Sequence, residues 1–152
     1  MKPTSLKNDR RFWALLLLTS VLVYTCKNGC GGNNTQAAKK LTSITYLIDC
    51  NANPATVTPP GTSTITATLS KVKNYDDNTA DTTAAPDGEI IVFTIDKTDC
   101  GPINPTQAKT KNGDASTVFT ASGPKAGSGC ELKITATFQG KYSCTSDIIV
   151  TK

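Results

Sequence analysis

The chain has 152 residues, 16 of them Lys or Arg and 12 Asp or Glu, for a formal net charge of +4, and it contains no histidine. That absence removes Ser-His-Asp and Cys-His catalysis, haem attachment through Cys-x-x-Cys-His, and the histidine-containing zinc sites. A nucleic-acid partner calls for a basic stripe with interleaved aromatics, and the sequence shows neither.

The first element is an export signal over residues 1–25. Lys2, Lys7, Arg10 and Arg11 precede an apolar run from Phe12 to Tyr24, which ends just before Cys26. The apolar centre, Ala14 to Val23, is about half the roughly twenty residues a spanning helix needs. The order basic, apolar, small or polar, cysteine suits a secretory signal. Val23-Tyr24-Thr25-Cys26 resembles the lipobox of bacterial lipoproteins, with Thr25 where Ala, Gly or Ser is usual, so Cys26 is the candidate for lipidation. Cleavage near Cys26 and release of a soluble protein is the alternative. Either route removes four basic groups and Asp9, and the net charge falls from +4 to +1. Everything downstream is then exported, at the cell envelope or outer surface, where cysteines read as disulfides.

Residues 26–40 read as a flexible tether. Lys27-Asn28-Gly29-Cys30-Gly31-Gly32-Asn33-Asn34-Thr35 has no apolar residue besides Cys30. Gly29 to Gly32 lacks the strand and helix context of a phosphate loop. Cys26 and Cys30 lack the folded surroundings that lower a thiol pKa for redox work. With Cys26 acylated, Cys30 is an odd thiol; without acylation the two can pair, or one can link to another chain. Asn33-Asn34-Thr35 matches a glycosylation pattern, which carries little weight behind a bacterial-type signal.

From Leu41 the pattern alternates apolar with polar or Thr residues, in short runs broken by Gly, Pro, Asn and Asp. Ile44 to Cys50 forms the first predicted strand, ended by Asn53-Pro54. Ser63 to Ser70 sends Ile65, Ala67 and Leu69 to one face. A long polar connection follows from Lys73 to Gly88, predicted to be mobile. Glu89 to Asp96 places Ile91, Phe93 and Ile95 toward the core, with Ile90 and Val92 opposite. Asp114 to Ala121 presents Ala115, Thr117 and Phe119 on one side and Val118 on the other, after the strong turn signal Lys111-Asn112-Gly113-Asp114. Leu132 to Gln139 points Leu132, Ile134, Ala136 and Phe138 inward. Gln139-Gly140-Lys141 suits a hairpin, and Asp147 to Thr151 closes the chain with Ile148 and Val150. No stretch shows a helical period. Six or seven short strands at this spacing predict an all-β sandwich over residues 41–152. Its four cysteines, Cys50, Cys100, Cys130 and Cys144, allow three pairings.

Five segments taken in order carry a resemblance. They are Asn53-Pro54-Ala55-Thr56-Val57, Gly61-Thr62-Ser63-Thr64-Ile65-Thr66-Ala67-Thr68-Leu69, Gly88-Glu89-Ile90-Ile91-Val92-Phe93-Thr94-Ile95, Thr110-Lys111-Asn112-Gly113-Asp114-Ala115-Ser116-Thr117-Val118-Phe119-Thr120-Ala121, and Ile134-Thr135-Ala136-Thr137-Phe138. Over Leu41 to Lys152 the set resembles bacterial immunoglobulin-like domains of the invasin and intimin type. The connection after Leu69 is longer than in typical members, and the cysteines are additional. The resemblance implies an immunoglobulin-like sandwich of about seven antiparallel strands. Its topology also implies the pairs Cys100–Cys130 and Cys50–Cys144, because the strands carrying each pair are neighbours.

Asp76, Asp77, Asp81 and Asp87 form the densest acidic group. Paired carboxylates can serve a glycosidase, and carboxylates on a flexible loop can hold calcium, although the spacing is not that of an EF-hand. A solvated loop is the plainer reading. Tyr46, Tyr75 and Tyr142 are expected singly near the surface, where such rings can anchor recognition. These readings lead to an exported, lipid-tethered cell-surface binding or adhesion module without catalysis. It needs no cofactor, and its partner is a surface protein, a glycan or a copy of itself; it meets the membrane only through the lipid. A subunit of an extracellular assembly and a small carbohydrate-active protein are the alternatives.

Overall fold

Alternating Thr and aliphatic residues build ten strands among the described residues. In chain order they are β1 (Leu41–Asn53), β2 (Thr56–Val57), β3 (Thr62–Tyr75), β4 (Ala80–Ala84), β5 (Ile90–Ile95), β6 (Ile103–Asn104), β7 (Gln107–Lys109), β8 (Asp114–Thr120), β9 (Cys130–Phe138) and β10 (Tyr142–Val150). A single 3₁₀ turn, Thr98–Cys100, follows β5. The computed structural model describes residues 38–122 and 129–152, of which Lys39–Lys152 belong to one unit. The predicted signal, Cys26, Cys30 and the tether as far as residue 37 lie outside the described residues.

The strands form two sheets. One has the order β1-β3-β8-β6, with β4 also paired to β3; the other has the order β2-β10-β9-β5-β7. The chain leaves the first sheet after Asn53, where Pro54 offers no N–H to a ladder. It joins the second as β2, which runs parallel to Ile149 and Val150 of β10. The other strand pairs are antiparallel.

Period-two alternation gives each sheet an apolar inner face, and the two faces share one core. Ile65, Ala67, Leu69, Ala115 and Phe119 come from the first sheet, and Ile91, Phe93, Leu132, Ile134, Ala136, Phe138, Ile148 and Val150 from the second, all buried. Ile95, predicted in the core, is half-buried at its margin. Thr117 is buried and donates its hydroxyl to the Pro105 carbonyl at 2.6 Å, so its burial leaves no unmet donor. The Ser63 hydroxyl, opposite Phe119 in the first sheet, is buried without a partner among the described residues.

Strand β3 changes partner at Leu69. Thr62 to Thr68 pair with β8, and Ser70 to Asn74 pair with β4. At the change, Leu69 N–H donates to the Gly113 carbonyl at 2.8 Å, and Ala85 N–H donates to the Leu69 carbonyl at 2.9 Å. The Asn112-Gly113 turn supplies this geometry with φ values of 54° and 88°. A Cβ on Gly113 would stand 2.9 Å from the Leu69 carbonyl oxygen, so the position needs glycine for space as well as for φ.

The predicted mobile connection from Lys73 to Gly88 is corrected by the structure: β3 continues to Tyr75, and β4 returns along it as a hairpin. β1 likewise runs from Leu41 to Asn53 rather than from Ile44 to Cys50, and β10 begins at Tyr142 rather than at Asp147. The cause lies in what covers the strands. Tyr46 points inward onto Phe138, and Lys71 stands opposite Tyr46, with Lys73 opposite Ile44. Beyond Tyr46 the second sheet has turned back at Gly140, so the inner face of β1, β3 and β4 needs no apolar side chains although the ladder continues.

Candidate functional site

Each predicted site residue within the described region has a definite place. Cys50 on β1 is bonded to Cys144 on β10, and Cys100 in the 3₁₀ turn is bonded to Cys130 at the start of β9. The first bridge joins the edge strand of one sheet to the other sheet, the second ties the turn after β5 to the start of β9, and their Cα separations are 5.5 and 6.2 Å. They fit an oxidising, extracytoplasmic location. Cys26, the predicted lipidation site, lies outside the described residues.

Asp76, Asp77 and Asp81 lie at the tip of the β3–β4 hairpin, and each accepts a hydrogen bond of its own. Asp76 accepts a hydrogen bond from Lys40 N–H at 3.1 Å, which ties the start of β1 to the hairpin tip. Asp77 accepts from the Thr79 hydroxyl at 2.5 Å and the Thr79 N–H at 3.0 Å, and it pairs with the Lys39 ammonium at 3.0 Å. Those bonds, the Thr79 hydroxyl foremost, hold its carboxyl down to about 2. Asp81 accepts the Tyr75 hydroxyl at 2.8 Å, a bond that raises the Tyr75 phenol above its ordinary value. Asp87 serves elsewhere, accepting from Asn112 N–H at 2.6 Å in the turn before β8. Among the described residues no group of three or more His, Cys, Asp or Glu side chains is placed to hold a metal ion. Each of the four carboxylates thus accepts from a donor of its own.

Tyr46 and Tyr142 were expected to stand singly, and here the structure differs. Tyr46 meets Phe138 edge-on at 4.9 Å between centroids and Tyr142 edge-on at 5.6 Å. Phe138 and Tyr142 stack at 6.3 Å, and the Lys141 ammonium lies 5.2 Å from the Tyr142 centroid. Alternation on β1 points Tyr46 inward, and the Gln139-Gly140 turn carries Tyr142 back over Phe138, so three rings close the end of the core. Tyr75 remains at the hairpin tip.

The surface feature that the sequence reading passed over is the first half of β1. Leu41, Ile44 and Leu47 are exposed at 45, 43 and 58% on the strand that ends the first sheet. Ile90 and Val92, expected on the outer face, are indeed exposed there on β5. The available signal for the β1 patch was a long strand without Lys, Arg or Pro, the residues that usually guard a sheet edge.

No family model matches this chain. No curated protein matches it either. Among solved structures it is similar to one described as the ZirS C-terminal domain, at 14% identity and a TM-score of 0.41, over 79% of this chain and 75% of that one. A likeness of that size bears on neither fold nor function.

Proposed function

We propose that this chain is an exported immunoglobulin-like β-sandwich that acts as a binding module at the cell surface, held there by lipid on Cys26 and without catalysis of its own. The strand order supports the immunoglobulin-like reading. Taking β1, β3, β5, β6, β8, β9 and β10 as strands A to G gives one sheet A-B-E-D and another G-F-C, with the first strand divided between the sheets. The similarity of its Thr-rich segments to invasin- and intimin-type domains points the same way.

The observation that carries the functional reading is the pair of disulfides behind an export-type N-terminus. Two bridges stiffen a domain whose core has few large side chains, and a stiff domain presents loops and strand edges for recognition by a surface protein or glycan. Intact mass spectrometry of the native protein, with and without reduction, tests the reading. A chain starting at Cys26 with added acyl mass, gaining four protons on reduction, agrees with a tethered two-disulfide module. A chain retaining residues 1–25 overturns export, and an unmodified Cys26 overturns the lipid anchor.

A further inference from the structure

We infer that the Leu41–Leu47 segment of β1 is a self-association site, pairing antiparallel with the same segment of a second copy about a two-fold axis. The inference goes beyond the binding-module reading and holds whether or not Cys26 is acylated.

Three observations converge on this segment. β1 ends its sheet, hydrogen-bonded only to β3, so one row of its backbone groups is unpaired among the described residues. The other outer strands are short: two residues in β2, two in β6, three in β7 and five in β4. β1 has 13. Its exposed apolar side chains lie on both faces: Ile44 shares the inner face with Tyr46, while Leu47 lies on the outer face opposite Ser70. Apolar exposure on both faces of a terminal strand is what remains when an adjoining strand is missing, since that strand would cover both sides at once. Finally, beyond Tyr46 the second sheet no longer lies across from β1, which leaves that stretch of the edge open among the described residues.

The occupant follows from charge and register. No charged residue occurs from Leu41 to Ile48, so antiparallel pairing with a copy sets no like charges opposite one another. A two-fold axis at Ile44 places Ile44 against its own copy and Ser43 against Thr45. The bulge between Leu41 and Ser43 takes up one residue, which places Leu41 against Tyr46. Each opposed pair then lies on one face, as the pleat requires, and Leu41, Ile44 and Tyr46 of the two copies form one apolar strip.

Sedimentation velocity over a range of concentrations, together with hydrogen exchange, tests the inference. The sample is the full exported chain carrying Cys26→Ser and Cys30→Ser, which eliminates association through lipid or through the odd thiol. The expected result is a reversible dimer, with protection of the Leu41–Leu47 amides that rises with concentration. Ile44→Lys sets two ammonium groups against each other at the axis and should yield a folded monomer with a lowered thermal midpoint, since the new ammonium also stands opposite Lys73 and the dimer no longer stabilises the fold, whereas Ile44→Val should keep the dimer. Leu47→Lys, at a still more exposed position, gives a second disruption of the same edge. A monomer at every concentration overturns the inference, as does a dimer that survives both lysine variants. Protection of the segment independent of concentration also overturns it, because the edge is then covered by the chain itself.

Discussion

Cys50 and Cys144 sit 5.5 Å apart at their Cα atoms on two strands that share no ladder, β1 at the edge of one sheet and β10 in the other. Their bridge spans 94 residues of sequence, against 30 for Cys100–Cys130. In the chain-entropy account the longer loop contributes about 4.5 kcal/mol and the shorter roughly 3.5 kcal/mol. Replacing Cys50 and Cys144 together by Ala should therefore lower the urea midpoint more than replacing Cys100 and Cys130. The urea m-value should rise in both cases as the unfolded chain expands. Cys100 is buried, so a larger loss from the shorter bridge would show that packing outweighs loop length.

The inward positions were legible wherever the other sheet demanded them. Ile65, Ala67 and Leu69, and likewise Leu132, Ile134, Ala136 and Phe138, follow a strict alternation because each faces a packed partner. The same rule hid the β3–β4 hairpin. Lys71, Lys73 and Tyr75 occupy inward positions on β3 past the point where the second sheet turns back at Gly140, so their sequence carries no apolar period. β2, β6 and β7 are too short for alternation to register and are bordered by Pro54, Pro105 and other breakers. The cysteine pairs came from the resemblance, since spacing alone left three pairings open. The ring contacts of Tyr46 and Tyr142 depend on a strand and a turn distant in sequence, which local pattern does not convey.

Gly113 should be the less replaceable of two turn glycines. Its Cβ position lies 2.9 Å from the Leu69 carbonyl oxygen and 3.2 Å from the Ala84 Cβ, at φ +88°, whereas Gly140, at φ +65°, has nothing within 4 Å. Gly140→Ala meets only the left-handed backbone penalty, about 1 kcal/mol. Gly113→Ala adds displacement of the backbone at the point where β3 exchanges β8 for β4, and should cost roughly 2–4 kcal/mol. Chemical denaturation of the two variants compares them directly.

The aromatic cluster predicts a coupling that area alone does not provide. Tyr46 touches both Phe138 and Tyr142, and its substitution by Ala removes two edge-on contacts from the end of the core. The single variant should lose about 2–3 kcal/mol, since the ring is only partly buried. In a double-mutant cycle with Tyr142→Ala the interaction energy should be about 0.5–1.5 kcal/mol. A value near zero would mean that each ring packs independently against Phe138.

The hairpin tip should register acid through Asp77. Its folded carboxyl lies at about 2, below the ordinary 3.8, because the Thr79 hydroxyl, the Lys39 ammonium and the Thr79 N–H all favour the charged form. A carboxylate depressed on folding stabilises the fold above its unfolded value, and that contribution fades as pH falls from about 4 through about 2. Asp77→Asn should flatten this part of the stability profile, leaving the contribution of other carboxylates in place. The local effect is sharper than the global one, because Lys39 and Lys40 bond to Asp77 and Asp76 where β1 begins. Amide exchange at Thr79 should therefore accelerate between pH 4 and pH 2 relative to its intrinsic rate in the native chain, and should already be fast at pH 5 in Asp77→Ala. If Thr79 exchange shows no such step, the cap does not hold the hairpin tip, and the start of β1 is fixed by its ladder with β3 alone.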